Sequence, residues 1–456
     1  MRTELSKSVQ NYGVTLPTQL SPTGRNLVLV GAFLGWMLAG VQLAMTSLAM
    51  GPAATDLLIV EVPENGLLVP QDDQLVAQWF GWLTAAFLTG TAMGGLLFGW
   101  IGDLTGRSKA LALAILCYSL MSALAYFSQD HWQFLVLRFL AGLGVGGTWP
   151  NGVSLVSEAW KNLTRPLVAG LMGAAANVGI ILMAQTASIY PITHESWRWV
   201  MLVGSASFFL SIFVAFVVPE SPSWLATRRI KQKKEQTSVS VSQIFRRPLL
   251  STTLVGIGLA TVPLIGAWGS ANWMLRWADQ VVEIQQENQE TGGLNKTESV
   301  DPTLKARLSR ARSLTGTLGA LLGGWIATLL GRHRAYFLNS LFALVVAQYC
   351  FWFLIPSDVA FLYWFAALGF FSGVYFGWLP LFLPELFTTR IRATGSGVSF
   401  NFGRILTVVT LLTTATLVSM LGSSYASIGK ITSLIYALGL LLIYFCPVTE
   451  KRLIED

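Results

Sequence analysis

The sequence of 456 residues is short of charge, since Asp, Glu, Lys and Arg make up only 12% of it, against about 25% in an ordinary soluble domain. Hydrophobic residues make up 53%, and the mean hydropathy is +0.57. A soluble core cannot bury that much apolar surface, so lipid has to solvate a large part of the chain. The composition predicts an integral membrane protein.

Histidine and cysteine are also scarce, with three of each in the chain. The histidines fall at predicted loops and the cysteines inside apolar runs, so neither type forms a cluster with metal-ligand spacing. The six residues are His131, His194, His333, Cys117, Cys350 and Cys446. The sequence also lacks a glycine-rich phosphate-binding loop. These absences predict a protein that is not an enzyme, needs no cofactor or metal, and is not an ATP-driven pump.

The net charge of +7 has a topological explanation. Basic residues lie in small groups between apolar runs and form no basic face, which argues against a nucleic-acid partner. Segment 219–248 carries seven Lys and Arg residues, whereas 51–75 carries five acidic residues and no basic ones. Because basic loops stay on the cytoplasmic side, this asymmetry places both termini in the cytoplasm of a cell (inner) membrane.

Twelve apolar runs approach the length of about 20 residues that a helix needs to cross a bilayer. The predicted spans are 26–50, 76–101, 110–128, 132–157, 166–190, 197–218, 249–275, 313–330, 335–355, 359–383, 393–421 and 428–446. The first run follows a polar stretch unlike a secretion signal, so we expect it to be retained. The predicted domains are a tail 1–25, a six-helix bundle 26–218, a linker 219–248, a second bundle 249–446 with an outer loop at about 278–306, and a tail 447–456.

The two halves share a repeat. GWIGDLTGRSKA (99–110) recurs as GWIATLLGRHRA (324–335), almost half the chain further on, with seven of twelve positions identical and Asp103 replaced by Thr328. Five further pairs of identical residues are separated by nearly the same offset as this motif: Gly142 and Gly369, Gly146 and Gly373, Glu158 and Glu385, Arg165 and Arg392, Gly170 and Gly397. The repeat indicates two homologous six-helix halves.

Four motifs resemble the major facilitator superfamily, and the similarity covers nearly the whole chain. GWIGDLTGRSK (99–109) resembles the signature between helices 2 and 3, and RFLAGLGVGG (138–147) the helix 4 pattern of sugar and organic-ion carriers. PESPSWL (219–225) resembles the motif after helix 6 in those branches, and PELFTTRIRATGSGVSFNFGR (384–404) is similar to helices 10 to 11 of metabolite:proton symporters. The resemblance implies an all-α fold of twelve transmembrane helices in two pseudo-symmetric bundles.

Helix 1 departs from those symporters. They usually carry an acidic residue there, whose burial suits it to carry a proton. Here the segment 35–45 reads GWMLAGVQLAM, with Gln42 and no acid. Proton coupling through helix 1 is therefore in doubt, which leaves a proton gradient used elsewhere, exchange and uncoupled transport all open.

The resemblance also implies a gate on the cytoplasmic side. Asp103, at the inner end of helix 2, is expected to accept hydrogen bonds from Arg107 and from the N-terminal end of helix 11 across the interface between the halves. The predicted gating residues are Asp103, Arg107, Glu158, Arg165, Glu385 and Arg392. For the basic residues, a role in orienting the helices is the alternative.

Arg404 is the leading candidate for substrate binding. It lies about 16 Å along predicted helix 11, near the middle of a roughly 30 Å hydrocarbon layer, where an unpaired cation is costly. Carriers resembling this chain hold a cation there for an anionic substrate; a structural pairing is the alternative. For Arg138 we expect a buried structural ion pair or snorkelling. Arg310 and Arg312 are predicted as interfacial anchors at the start of helix 8, or as attractors of anions.

Neutral side chains complete the predicted substrate site. Amides and hydroxyls can bind carboxylates, and indoles can pack on a sugar ring or an apolar body; packing within the bundles is the alternative for each. The candidates are Gln42, Thr46, Asn177, Trp268, Asn272, Trp273, Tyr375, Trp378 and Asn401. Pro263, with Gly258 and Gly266, is expected to let helix 7 bend.

The sequence therefore predicts a secondary transporter, monomeric and working by alternating access, for a small organic anion such as a carboxylate metabolite. A sugar or polyol carrier is the main alternative, because the helix 4 and PESPSWL motifs also resemble sugar porters. A receptor that binds a nutrient without moving it is the third, and the short tails argue against it.

Overall fold

The computed structural model describes residues 20–61, 68–69, 73–159, 165–222, 224–225, 244–290, 301–387, 392–420 and 425–447. Twelve long helices, α1 to α12, account for most of them. The first six are α1 (Pro22–Leu57), α2 (Asp73–Thr105), α3 (Arg107–Ala125), α4 (His131–Ala159), α5 (Arg165–Ile189) and α6 (Arg198–Val217). The others are α7 (Leu249–Ile265 and Asn272–Glu290, joined by a π-helical turn at Gly266–Ala271), α8 (Leu304–Leu329), α9 (Arg332–Phe353), α10 (Val359–Glu385), α11 (Arg392–Met420) and α12 (Tyr425–Phe445).

The predicted all-α membrane architecture is confirmed. Ten of these helices contain a stretch that is long and apolar enough to cross a membrane. Of the remaining two, α8 carries four basic residues within its first nine positions. The strands in the described part of the chain form one short antiparallel hairpin, β1 (Val60–Glu61) with β2 (Leu68–Val69), between α1 and α2. The tails and most of the linker, 1–19, 226–243 and 448–456, lie outside the described residues.

Helices α7 and α8 extend into the predicted outer loop at about 278–306. Helix α7 continues to Glu290, and α8 begins at Leu304 instead of 313. The predicted spans end where the apolar residues end, but a helix can extend beyond the lipid, where apolar residues are no longer required. As a consequence, Arg310 and Arg312 lie about two turns inside α8 and not at its start.

Glycine at the turn after α2 explains part of the repeat. Gly106, between α2 and α3, has a φ of 115°, and its counterpart Gly331, between α8 and α9, has a φ of 80°. Residues with a Cβ atom rarely adopt positive φ, so only glycine forms these tight turns without strain.

Close helix contacts explain other repeated glycines. A Cβ atom at Gly146 of α4 would lie 2.0 Å from the carbonyl oxygen of Thr91 in α2. At the equivalent Gly373 of α10, it would lie 2.1 Å from the carbonyl oxygen of Gly316 in α8. The small-residue contact between α2 and α4 is thus repeated between α8 and α10, as expected for helix packing in membranes.

Replacing Gly146 by Ala is expected to destabilise the folded protein by about 1–3 kcal/mol, because the helices have to separate to admit the new methyl group. Melting temperatures of purified protein in detergent measure the effect. Gly99→Ala on α2 is the matched control, since nothing lies within 4 Å of its new Cβ atom. An unchanged melting temperature for Gly146→Ala would contradict this packing.

The halves meet through α2 with α11 and through α5 with α8. We call the membrane face where α1 begins and α12 ends the terminal face, and the opposite one the far face. Near the far face, Trp273 of α7 and Tyr425 of α12 belong to the same apolar cluster as residues of α1 and α2. The apolar core is therefore continuous between the halves there.

Candidate substrate site and gates

Arg404 of α11 lies at the interface between the two halves. Its side chain is 9% exposed, and its guanidinium lies 4.9 Å from the ring centre of Phe400. The Nη1 atom donates to the carbonyl oxygen of Thr91 in α2 at 3.2 Å and to Oδ1 of Asn401 at 3.5 Å. Among the described residues, no carboxylate pairs with Arg404, and its Nε and Nη2 atoms have no acceptor. Part of this buried cation therefore remains available to an anion.

Asn401 lies beside Arg404, as their spacing of three residues predicts. Its Nδ2 atom donates to the carbonyl oxygen of Gly397 at 3.0 Å. A Cβ atom at Gly95 of α2 would approach its Oδ1 atom to 2.8 Å. Both side chains thus face α2, in the opposite half.

Arg138 of α4 forms a sealed polar cluster inside the N-terminal bundle. It is fully buried and lies over the ring of Phe87 at 4.6 Å. Nη1 donates to Oε1 of Gln42 at 3.3 Å, and Nη2 donates to the hydroxyl of Thr46 at 2.6 Å. The expectation of an ion pair or of snorkelling is wrong, because neutral oxygens of α1 hold the guanidinium where an acid is lacking. Gln42 and Thr46, predicted to bind substrate, are occupied by this contact.

The remaining candidates separate into packed and unsatisfied groups. Trp378 donates its Nε1 hydrogen to the carbonyl oxygen of Arg332 at 3.2 Å, and Tyr375 pairs with the hydroxyl of Ser340 at 2.6 Å. Both belong to the core of the C-terminal half. Asn177 of α5 lies against Gly316 of α8, across the interface between the halves.

The π-helical turn in α7 places unsatisfied polar atoms next to the interface between the halves. It follows Pro263 within three residues, as expected for a bend. Asn272 comes directly after the turn and is 3% exposed. Both of its amide atoms, and the Nε1 atom of Trp273, are buried without a partner among the described residues. Trp273 packs on Phe80 of α2, and Trp268 is half-buried against the same cluster.

On the terminal face, the gating residues that the structure describes pair within their own halves. Arg107 contacts Asp103 at 2.6 Å and Glu158 at 3.9 Å in the N-terminal half, and Arg332 contacts Glu385 at 3.2 Å in the C-terminal half. The Asp103 side chain is 62% exposed. The predicted bond from the start of α11 to Asp103 is not seen in the described part of the chain. Arg165 and Arg392 begin α5 and α11, but their side chains lie outside the described residues.

The PESPSWL motif caps α3. Oε1 of Glu220 accepts the backbone N–H of Arg107 at 2.8 Å and of Ser108 at 3.2 Å, which satisfies two N–H groups at the start of that helix. The Ser221 hydroxyl donates to the Glu158 carboxylate. The motif therefore links the end of α6 to the start of α3 and the end of α4 on the terminal face. Sequence reasoning did not assign Glu220 or Ser221 a role.

Near the far face, a buried charge cluster that sequence reasoning missed connects the halves. Asp279 of α7 contacts Nη1 of Arg276 at 3.0 Å and Nζ of Lys305 at 2.6 Å. Lys305 also donates to the carbonyl oxygen of Leu48 in α1 at 3.3 Å. We call Arg276, Asp279 and Lys305 the far-face latch. The spacing of Arg276 and Asp279 allows a helical pair, but Lys305 belongs to the next helix, and no local spacing relates it to them.

Comparisons with known proteins agree with this architecture. A model of the Major Facilitator Superfamily matches residues 27–277. The cis,cis-muconate transport protein of Acinetobacter baylyi is 26% identical over 328 residues, covering 71% of this chain and 75% of that protein. A putative niacin/nicotinamide transporter of Bacillus subtilis is 27% identical, with 80% of this chain and 84% of that protein covered. The crystal structure of a D-xylose-proton symporter matches with a TM-score of 0.68 at 17% identity, covering 93% of this chain and 98% of that one.

These findings confirm three predictions. The family match confirms the resemblance based on the four motifs. The structural similarity confirms the twelve-helix fold in two bundles. Because the matched family and both relatives are transporters, the prediction of transport, and not of catalysis, is confirmed as well.

Proposed function

The chain belongs to the major facilitator superfamily, and on that basis we propose that it carries a small organic anion across the membrane by alternating access. The observation that carries the proposal is Arg404, a buried cation at the interface between the halves with no carboxylate partner among the described residues. Such a cation is costly in hydrocarbon unless an anion or water reaches it. One relative is named for muconate and another for niacin or nicotinamide; muconate and niacin are carboxylates, and this supports the same substrate class.

The proposed transport cycle follows from the two faces. The excess of Lys and Arg in terminal-face segments supports a cytoplasmic terminal face. Both termini would then lie on the cytoplasmic side of a cell membrane. The far-face latch then closes the outer side in the described conformation, while the ion pairs of the terminal face remain within each half. Opening of the far-face latch, together with closure of the terminal face, would expose Arg404 to each side in turn. The whole cycle would take place within one chain acting as a monomer.

Proton coupling through helix 1 is not part of the proposal. Segment 35–45 of helix 1 contains no acid, and the amide oxygen of Gln42 accepts from Arg138. An amide side chain has no titratable proton, so Gln42 cannot act as the proton carrier. We propose that the protein moves the anion by exchange or by uncoupled transport.

Uptake into proteoliposomes tests the proposal. The panel consists of cis,cis-muconate, nicotinate, N-acetylneuraminate and D-xylose, each with and without an inward proton gradient, and each with and without the same unlabelled solute inside the liposomes. We expect uptake of at least one acid, at rates that change less than about twofold with the gradient, since the Arg138 cluster contains no acid to titrate. A sugar or polyol carrier is the alternative, favoured by the helix 4 pattern. Uptake of D-xylose with no uptake of any acid would replace our proposal with that one.

A further inference from the structure

Each half contains a guanidinium over an aromatic ring, with the two residue types exchanged between helices. In the N-terminal half, Arg138 of α4 lies over Phe87 of α2 at 4.6 Å. In the C-terminal half, Arg312 of α8 lies over Phe365 of α10 at 5.8 Å. The offset of the repeated GWI motif pairs Phe87 with Arg312, and the offset of the repeated glycines pairs Arg138 with Phe365. The cation has thus moved to the other helix of an equivalent pair.

Backbone contacts support this equivalence. A Cβ atom at Gly142 of α4 would lie 2.2 Å from the carbonyl oxygen of Phe87. At the paired Gly369 of α10, it would lie 2.1 Å from the carbonyl oxygen of Arg312. The helices of the two pairs therefore have the same register, and the two guanidinium groups occupy corresponding regions of their bundles.

The two cations differ in what satisfies them. Arg138 is fully buried; both of its terminal nitrogens donate to α1, and its Nε atom has no partner among the described residues. Arg312 is half-buried; its Nε atom has no partner, and no acceptor for its terminal nitrogens exists within the described ranges. Nor does any carboxylate of the described residues pair with it. Equivalent helix pairs thus hold a guanidinium whose terminal nitrogens are hydrogen-bonded in one half and a guanidinium whose terminal nitrogens lack acceptors in the other.

A buried tyrosine hydroxyl lies near Arg312, and a buried serine hydroxyl lies beside that tyrosine. Tyr436 of α12 is 1% exposed, and its hydroxyl neighbours both Arg312 and Ser372 of α10. The two hydroxyls approach each other, but neither has a group in hydrogen-bond geometry among the described residues. Buried polar groups normally have partners. A guanidinium and two hydroxyls together supply the donors that a carboxylate accepts.

This cluster lies close to the interface between the halves. Arg312 and Gly316 are four residues apart and share a face of α8. Gly316 approaches Asn177 of α5, which belongs to the N-terminal half. A ligand at Arg312 is therefore within the region where the halves move relative to each other.

We propose that Arg312, Tyr436 and Ser372 form a carboxylate subsite of the C-terminal half, which binds an acidic group of the transported anion. The inference rests on the proposed function, since it identifies a second cation for the same substrate class. It follows the alternative that Arg312 attracts an anion, and not the expectation that it is an interfacial anchor. The acid group replaces water at the free guanidinium nitrogens and the Tyr436 hydroxyl, while Arg138 keeps its protein partners.

Binding measurements on detergent-purified protein test the subsite, with nicotinate and cis,cis-muconate as probes. We expect Arg312→Gln to weaken binding of the acid that wild-type protein transports by at least about tenfold, because it removes charge-assisted hydrogen bonds. Arg312→Lys should retain part of the affinity, since it keeps the charge but loses the planar fork. Tyr436→Phe keeps the ring and should weaken binding several-fold. Arg307→Gln is the control, because it removes an exposed cation of α8 that pairs with Asp301, which precedes that helix.

The outcomes separate the two proposals. Wild-type protein that transports no acid contradicts the proposed function itself. Transport of an acid by wild type, with Arg312→Gln and Tyr436→Phe both binding that acid normally, overturns the subsite alone. If Arg312→Gln does not fold, Tyr436→Phe and Ser372→Ala decide the question by the same criterion. Chloride could also raise the melting temperature of wild-type protein, but not of the variants, even when the acid is saturating. That result would assign the cluster to an inorganic anion and overturn the proposal.

Discussion

Replacing Arg404 by Gln is expected to reduce organic-acid uptake by about 10- to 100-fold. A hydrogen bond between charged groups contributes about 1.5–3 kcal/mol, which corresponds to that range of affinities. The structure leaves most of the guanidinium free for such bonds, since its two observed acceptors both bond to Nη1. Initial rates of uptake at low acid concentration, in proteoliposomes with equal amounts of protein, measure the loss.

Two further variants separate binding from structure. Arg404→Lys preserves the charge and should retain an intermediate affinity, because an ammonium cannot form the paired contacts of a guanidinium. Lys430→Gln is the matched control, since it removes a cation that lies over Trp352 at 3.7 Å in the same half, away from α2. If Arg404→Gln folds and takes up acid with unchanged affinity, Arg404 has only the structural role of bonding to Thr91.

Local periodicity predicted the parts of the site that lie on one helix. Asn401 and Arg404 are three residues apart, and both face α2 in the structure. The turn glycines at 106 and 331 were likewise visible in the repeat, because a backbone requirement survives when the surrounding side chains change. Signals of this kind depend only on near neighbours along the chain.

Contacts between helices were not predictable in the same way. Arg138 was expected to pair with an acid or to snorkel, but its partners are neutral groups on α1, three helices earlier in the chain. Hydropathy alone gave no indication that Gln42 and Thr46 point at it. The apolar spans also ended too early at helix 7 and began too late at helix 8, which hid the depth of Arg312. Unpaired polar atoms such as the amide of Asn272 become visible only when burial is known.

The latch at the far face leads to the second large effect. Asp279→Asn is expected to reduce uptake more than tenfold by favouring a conformation that is open at the far face. Asp279 is the carboxylate that contacts both cations of the latch, and the side chains of Arg276 and Lys305 are only 6% and 9% exposed. Removal of one partner from a buried ion pair costs about 3–5 kcal/mol. Because the closed far face buries the two cations, opening to water relieves them and shifts the equilibrium.

Electron-electron distance measurements on spin-labelled protein can detect that shift. Tyr190, at the end of α5, and Val359, at the start of α10, are exposed near the far face, one in each half. With the three native cysteines replaced by Ser, labels at these positions should report longer distances in Asp279→Asn than in wild type. Asp301→Asn is the control, because it breaks the more exposed contact with Arg307 within one half and should leave both distance and uptake unchanged. If Asp279→Asn shows wild-type distances and wild-type uptake, the cluster stabilises α7 and α8 without gating. The charges of Arg276 and Lys305 would then not favour either conformation when Asp279 is absent.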